Sequence, residues 1–150
     1  MLKKFLRTKP AFLLLIPAFV ILAIYLYPGK GPGLQGFTVL DEPTALVRLN
    51  KDLRSPTNRP TLYYISAKWC FECPQFERDV LSSSGVKETL RGYTTFKMDA
   101  TADPGIWPAL NQFNIDSVPT LIVHDTKGIR ILRASGMLPP SAVTSFLRQK

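Results

Sequence analysis

Leu62-Tyr63-Tyr64-Ile65 is an unbroken apolar and aromatic run that leads through Ser66-Ala67-Lys68-Trp69 into Cys70-Phe71-Glu72-Cys73. A run of this kind fits a strand buried on both faces. Phe76, Val80 and Leu81, just beyond the cysteines, mark a helix that begins around them. A C-x-x-C pair between a buried strand and a helix constrains the fold and the chemistry together. Amides at a helix N-terminus carry partial positive charge and stabilise a thiolate at Cys70, the species that attacks a disulfide. Cys73, one turn later, can resolve the mixed disulfide. Other uses of the pair fit less well. Zinc takes about four ligands, and Cys70, Cys73 and His124 are all that offer themselves; c-type haem needs a histidine after the second cysteine, where Pro74 stands. A structural bridge over so short a loop adds little chain-entropy stabilisation.

The flanking sequence extends this strand and helix into an alternation. Phe37 to Leu40 reads as a strand; Pro43-Thr44 opens a helix with Leu46, Leu49 and Leu53 on one face, ended by Ser55-Pro56-Thr57-Asn58. After the cysteines, Ser82 to Gly85 interrupts the helical period before Val86 and Leu90 resume it. Thr94 to Met98 alternates as a strand, Asp103-Pro104 offers an N-cap with proline behind it, and Ile106, Leu110 and Phe113 supply the next stripe. Leu121-Ile122-Val123 and Ile129 to Leu132 form a hairpin, and Ser141 starts a last helix carrying Val143, Phe146 and Leu147. The order β-α-β-α-β-α-β-β-α predicts an α/β fold: a mixed central sheet, parallel early and antiparallel at the end, flanked by helices.

The chain has 150 residues, room for one domain and an appendage. Residues 1–10 form a basic N-terminus with Lys3, Lys4, Arg7 and Lys9, and residues 11–27 are apolar or aromatic apart from Pro17. As a helix that stretch would measure about 26 Å, against a hydrocarbon core of roughly 30 Å. The positive-inside bias places the N-terminus in the cytoplasm and the rest outside. A cleaved signal peptide shares the basic start, but Ala23 to Pro28 supplies no A-x-A-like site, so an uncleaved single-pass signal anchor is expected. Residues 28–36 have a Gly/Pro linker composition, and 37–150 are the expected compact domain. Beyond the anchor, fifteen Lys and Arg face eleven Asp and Glu, so the formal charge falls from +8 to +4. With no basic run interleaved with aromatics, nothing points to nucleic acid.

Trp69-Cys70-Phe71-Glu72-Cys73, with Ser117-Val118-Pro119-Thr120 downstream and the element order above, resembles thioredoxin over most of the chain after the linker. Glu77, Asp99 to Asp103 and Ser135-Gly136-Met137 are similar, more narrowly, to the C-terminal periplasmic domain of the thiol:disulfide interchange protein DsbD. The resemblance implies a cis bond before Pro119 and substrate pairing along the backbone of Val118. From sequence alone Pro119 is equally a proline at the start of a strand. It also implies that Trp69 covers the disulfide as an apolar lid; a core aromatic is the other reading. Glu77, seven residues after Cys70, can point to the same side and move protons to or from Cys73, although most helix glutamates are merely solvated. The chain departs from both relatives at Tyr64, where they carry a buried aspartate, and Glu72 would oppose a thiolate at Cys70. His124 reads as a structural or surface histidine, and Asp99 and Asp103 as a strand end and an N-cap.

Two function classes follow. The first is a membrane-anchored protein-disulfide reductase with no cofactor beyond the Cys70/Cys73 disulfide. It would act on oxidised periplasmic protein thiols, as in cytochrome c biogenesis or disulfide repair. A single pair in an oxidising compartment needs a membrane electron donor of the DsbD or CcdA kind. An oxidase or isomerase would use the same scaffold. The second class is a peptide-binding or assembly module that grips partners along Val118-Pro119, its disulfide merely structural.

Overall fold

A computed structural model describes residues 34–52, 55–101, 105–127 and 131–149. The expected basic N-terminus, the anchor at 11–27 and the linker as far as Gly33 lie outside the described residues, as do Leu53, Asp103-Pro104 and Ile129. Among the described residues no helix is long and apolar enough to cross a membrane.

The apolar run forms β2 (Thr61–Ser66), buried along its whole length. It occupies the centre of the sheet because only a strand flanked on both edges and both faces can bury every side chain. β3 (Thr94–Asp99) pairs with β2 in parallel, and β1 (Thr38–Leu40) pairs in parallel with the outer edge of β3. On the other side β4 (Thr120–His124) runs antiparallel to β2, and β5 (Ile131–Ser135) antiparallel to β4. Among the described residues the order is therefore β1-β3-β2-β4-β5.

Successive side chains of β2 enter opposite halves of the core. Leu62 and Tyr64, with Leu121 and Val123, meet Phe76, Val80, Leu81, Val86, Leu90, Val143 and Leu147 on one face. Tyr63 and Ile65, with Phe96, Met98 and Ile122, meet Ala45, Leu49, Ile106 and Leu110 on the other. The first face is covered by the helical run after the cysteines and by α5 (Pro140–Leu147), the second by α1 (Glu42–Asp52) and α4 (Ile106–Asn111). Leu62, Ile65 and Leu110 are fully covered, and truncating any one of them to alanine would cost about 2–5 kcal/mol.

Helix boundaries follow local chemistry. The Thr44 amide donates to the Asp41 carboxylate at 2.8 Å, which caps α1 and holds that carboxyl below its ordinary value. α4 stops at Asn111, short of Phe113: Asn114 takes φ 54°, and the Ile115 amide returns to the Leu110 carbonyl at 3.1 Å. Phe113 therefore packs from the turn instead of the helical stripe.

The run after the cysteines is not one regular helix. It is α2 (Cys73–Gln75), a π-helical segment Phe76–Leu81, and α3 (Ser84–Leu90). Ser83 breaks the run in extended backbone, as the Ser82 to Gly85 interruption predicts. The π segment, in which the Ser82 amide donates to the Glu77 carbonyl five residues back, has no counterpart in a 3.6-residue reading. The compact unit reaches back to Leu34, three residues before the expected boundary at Phe37, since the apolar side chain of Leu34 packs on the core. Gly36, at φ 92°, supplies the turn into β1.

Candidate active site

β2 delivers the chain to the cysteines at its C-terminal end, where the loop Ala67–Trp69 is tied to the end of β3. The Ala100 amide donates to the Ser66 carbonyl at 2.7 Å, and the Lys68 amide donates to Thr101 Oγ1 at 2.5 Å. Thr101 in turn donates to the Asp99 carboxylate. This fixes what Asp99 to Thr101 does: it holds the approach to Cys70.

Cys70 and Cys73 are joined, with Cα atoms 5.4 Å apart. Cys70 lies in the turn before α2, its amide donating to the Ala67 carbonyl at 3.0 Å. The Cys73 amide donates to Cys70 Sγ at 3.1 Å. That contact carries the electrostatics of the site, because an N–H aimed at a sulfur stabilises its thiolate more than its thiol. Cys73 is the more completely covered of the two. Ala67 and both cysteines form a small apolar cluster against which Val118 packs.

The Val118–Pro119 peptide bond is cis and leads directly into β4. The Pro119 carbonyl accepts the Gly136 amide at 2.9 Å, and the Thr120 hydroxyl bonds to the Ser117 carbonyl and to Ser135, so the segment is clamped to β5. Trp69 is 61% exposed, so it is no core aromatic; its ring lies 5.8 Å from that of Trp107 on α4. Phe71, between the cysteines, is 95% exposed, and Glu72 and Pro74 also face solvent.

Glu77 is half-buried on the π-helical segment that follows α2. Lys97 Nζ donates to Glu77 Oε1 at 2.6 Å, with side chains only 21–23% exposed. Tyr64 lies in the core beside this ion pair, its hydroxyl donating to the Cys73 carbonyl at 3.5 Å. Burial first, and then the nearby Glu77 carboxylate, push the phenol well above its ordinary value. The Lys97 ammonium also sits 5.7 Å from the Tyr64 ring centre.

Sequence reading thus placed Cys70, Cys73, Glu77, Val118 and Pro119 around one end of the sheet. It missed Lys97, Thr101 and Trp107. Tyr64 registered only as a departure from the relatives. A charged residue inside the alternation Thr94 to Met98 was the available signal for Lys97. His124, by contrast, is fully buried on β4, and among the described residues its ring nitrogens have no hydrogen-bond partner. No group of three or more His, Cys, Asp or Glu is placed to hold a metal ion among the described residues.

A sheet of this topology with a cysteine pair at the C-terminal end of its central strand, a helix behind it and a clamped cis-proline loop beside it defines a class: thiol-disulfide oxidoreductases of thioredoxin-like fold. Residues 51–150 match the family model of the thioredoxin-like domain, and the chain belongs to that family.

Among curated relatives, the thiol:disulfide interchange protein DsbD of Cronobacter sakazakii is 28% identical over 105 residues, 68% of this chain and 18% of its own. DsbD of Klebsiella pneumoniae is 24% identical over 108 residues, 70% of this chain and again 18% of its own. The chain spans under a fifth of the length of these relatives. Among solved structures, the oxidised C-terminal domain of Neisseria meningitidis DsbD superposes with a TM-score of 0.53 at 19% identity, covering 69% of this chain and 87% of that domain. Oxidised thioredoxin O2 of Arabidopsis thaliana gives 0.55 at 24%, covering 76% and 93%. At these identities the superpositions speak to the fold alone.

Proposed function

We propose that this protein is a membrane-anchored reductase of protein disulfides outside the cytoplasmic membrane, held there by residues 11–27 and linked to its domain by residues 28–36. Cys70 is the nucleophile and Cys73 the resolving cysteine. The single observation that carries the reading is the Cys73 amide at 3.1 Å from Cys70 Sγ, which favours negative charge on that sulfur. The Cys70 thiolate attacks a substrate disulfide and releases one substrate thiolate. Cys73, after losing its proton, attacks Cys70 Sγ, releases the second substrate sulfur and leaves the Cys70–Cys73 disulfide. Glu77, on the next turn, receives that proton. Val118 and the exposed Trp69 face the incoming chain, Val118 through its backbone beside Pro119 and Trp69 through its ring.

The closed disulfide must then be reopened by a partner dithiol. The kinship with DsbD supports a membrane electron donor of the DsbD or CcdA kind for that step, and oxidised periplasmic protein thiols as substrates. The test is the reduction potential of the pair in glutathione buffers. A value near about −270 mV supports a reductase, and one near about −120 mV makes the protein an oxidant. A pair that does not exchange leaves a peptide-binding module with a structural bridge.

A further inference from the structure

Two groups of the site have no part in the thiol chemistry as written so far: the buried phenol of Tyr64 and the ammonium of Lys97. They are neighbours by construction. Tyr64 and Lys97 are register partners on the parallel strands β2 and β3, so their side chains leave the same face of the sheet. That face carries the helical run after the cysteines, and Glu77 descends from it onto Lys97. The Tyr64 hydroxyl donates to the Cys73 carbonyl at 3.5 Å, and the Lys97 ammonium, 5.7 Å from the Tyr64 ring centre, holds Glu77 Oε1 at 2.6 Å. Its ring is pinned by Phe76 and Phe37, with centroids 6.0 and 6.3 Å away.

We infer that Tyr64 is a positioning residue for the resolving step: its hydroxyl holds the carbonyl of Cys73 while its register partner Lys97 holds the Glu77 carboxylate, so that the two fix the turn that carries Cys73 relative to Glu77. The inference rests on the reductase reading above. Cys73 and Glu77 are four residues apart, so a regular helix would stack them. The π segment that starts at Phe76 alters that stacking, and an unrestrained glutamate there would turn to solvent. The ion pair keeps it in, and the phenol holds the Cys73 carbonyl on the same face of the sheet. In the step itself the Cys73 thiol proton passes to Glu77, the Cys73 sulfur bonds to Cys70 Sγ, and the bond from Cys70 to the substrate sulfur breaks. The substrate leaves reduced and the protein is left oxidised.

Among the described residues, the other titratable groups near this face are Asp99, two residues beyond Lys97 on β3, which accepts from Thr101, and Tyr93. β4 presents Leu121 and Val123, α5 presents Val143, Phe146 and Leu147, and Tyr93 commits its hydroxyl to the Leu147 carbonyl. Replacing Tyr64 by phenylalanine removes one oxygen from a filled core and leaves the apolar packing in place.

The test uses the full chain, reduced, against the aromatic disulfide dithiobis(nitrobenzoate). Attack by Cys70 releases the first thionitrobenzoate and resolution by Cys73 the second, so the two steps are read as separate phases across a pH series. Tyr64→Phe is expected to slow the second phase by about fivefold at neutral pH, the scale of one hydrogen bond, and to change its pH profile while the first phase keeps its rate. Lys97→Met should change the second phase in the same sense, and Tyr64→Phe in a Glu77→Gln background should add nothing further. An unchanged second phase in Tyr64→Phe, or equal slowing of both phases, overturns the inference and leaves the reductase reading standing. A native protein that releases no thionitrobenzoate overturns that reading itself.

Discussion

Tyr63 and Tyr64 are adjacent on β2, both fully buried, and each meets a carboxylate that is paired with a cation, yet the two assemblies serve different ends. Tyr63 donates to Asp52 Oδ2 at 2.7 Å, and Arg48, one helical turn before Asp52, closes on the same carboxylate at 3.0 Å. Arg48 also lies 4.9 Å over the Phe96 ring, and Tyr63 stacks on that ring from β2. All of this joins α1 to the sheet. On the opposite face Tyr64 donates to the Cys73 carbonyl at 3.5 Å, and the carboxylate nearby, Glu77 paired with Lys97, comes from the helical run that carries Cys73. The Tyr63 assembly is built on a 2.7 Å bond to a buried carboxylate of α1, its Arg48 being 44% exposed, whereas the Tyr64 assembly reaches a carbonyl at 3.5 Å and is attached to the turn that carries Cys73. A strand with alternating faces can thus carry one polar cluster as a fastener and its neighbour as part of the site.

The largest effect that would separate the two is Asp52→Ala. It strands the Tyr63 hydroxyl and frees Arg48, and should cost about 2–3 kcal/mol in urea unfolding with the thiol exchange rate unchanged. Loss of exchange with stability intact would break the comparison. Alkaline pH acts on both assemblies together. Burial first, then Asp52 for Tyr63 and Glu77 for Tyr64, raises the two phenols in the folded chain. The unfolded chain releases those protons near pH 10 and the folded one does not. Stability is therefore fully present below about pH 10 and falls as pH rises beyond it, by up to about 1.4 kcal/mol per pH unit for each phenol.

Tyr63→Phe should cost about 1 kcal/mol and leave both exchange phases alone, in contrast to the result expected for Tyr64→Phe. The smallest effect is on stability in Lys97→Met. A pair that is partly exposed contributes about 1 kcal/mol or less, so unfolding should shift little while exchange changes. A large stability loss there would make Lys97 a fastener like Arg48.

Much of this was legible in the residues because its causes are local. Leu62 to Ile65 reads as a strand buried on both faces, and the Ser82 to Gly85 interruption marks where the run after the cysteines restarts as α3. The cysteine spacing relative to strand and helix carried the chemistry. What escaped depends on distant partners. Tyr64 differs from Tyr63 only in what arrives on its face of the sheet, and that is set by Glu77 and Lys97, far along the chain. The π segment escaped because a period of 3.6 fits its apolar residues equally well. Trp107 escaped because its ring partner, Trp69, lies far from it along the chain. The expectation of an anchor at 11–27 rests on composition and charge alone.

The central claim is that Cys70 attacks and Cys73 resolves. Substituting Cys73→Ser in the full chain and looking for covalent adducts on a non-reducing gel tests it directly. The account predicts mixed disulfides through Cys70 that a reductant dissolves and that Cys70→Ser does not form. Adducts formed equally by Cys70→Ser, or by neither variant, would contradict it.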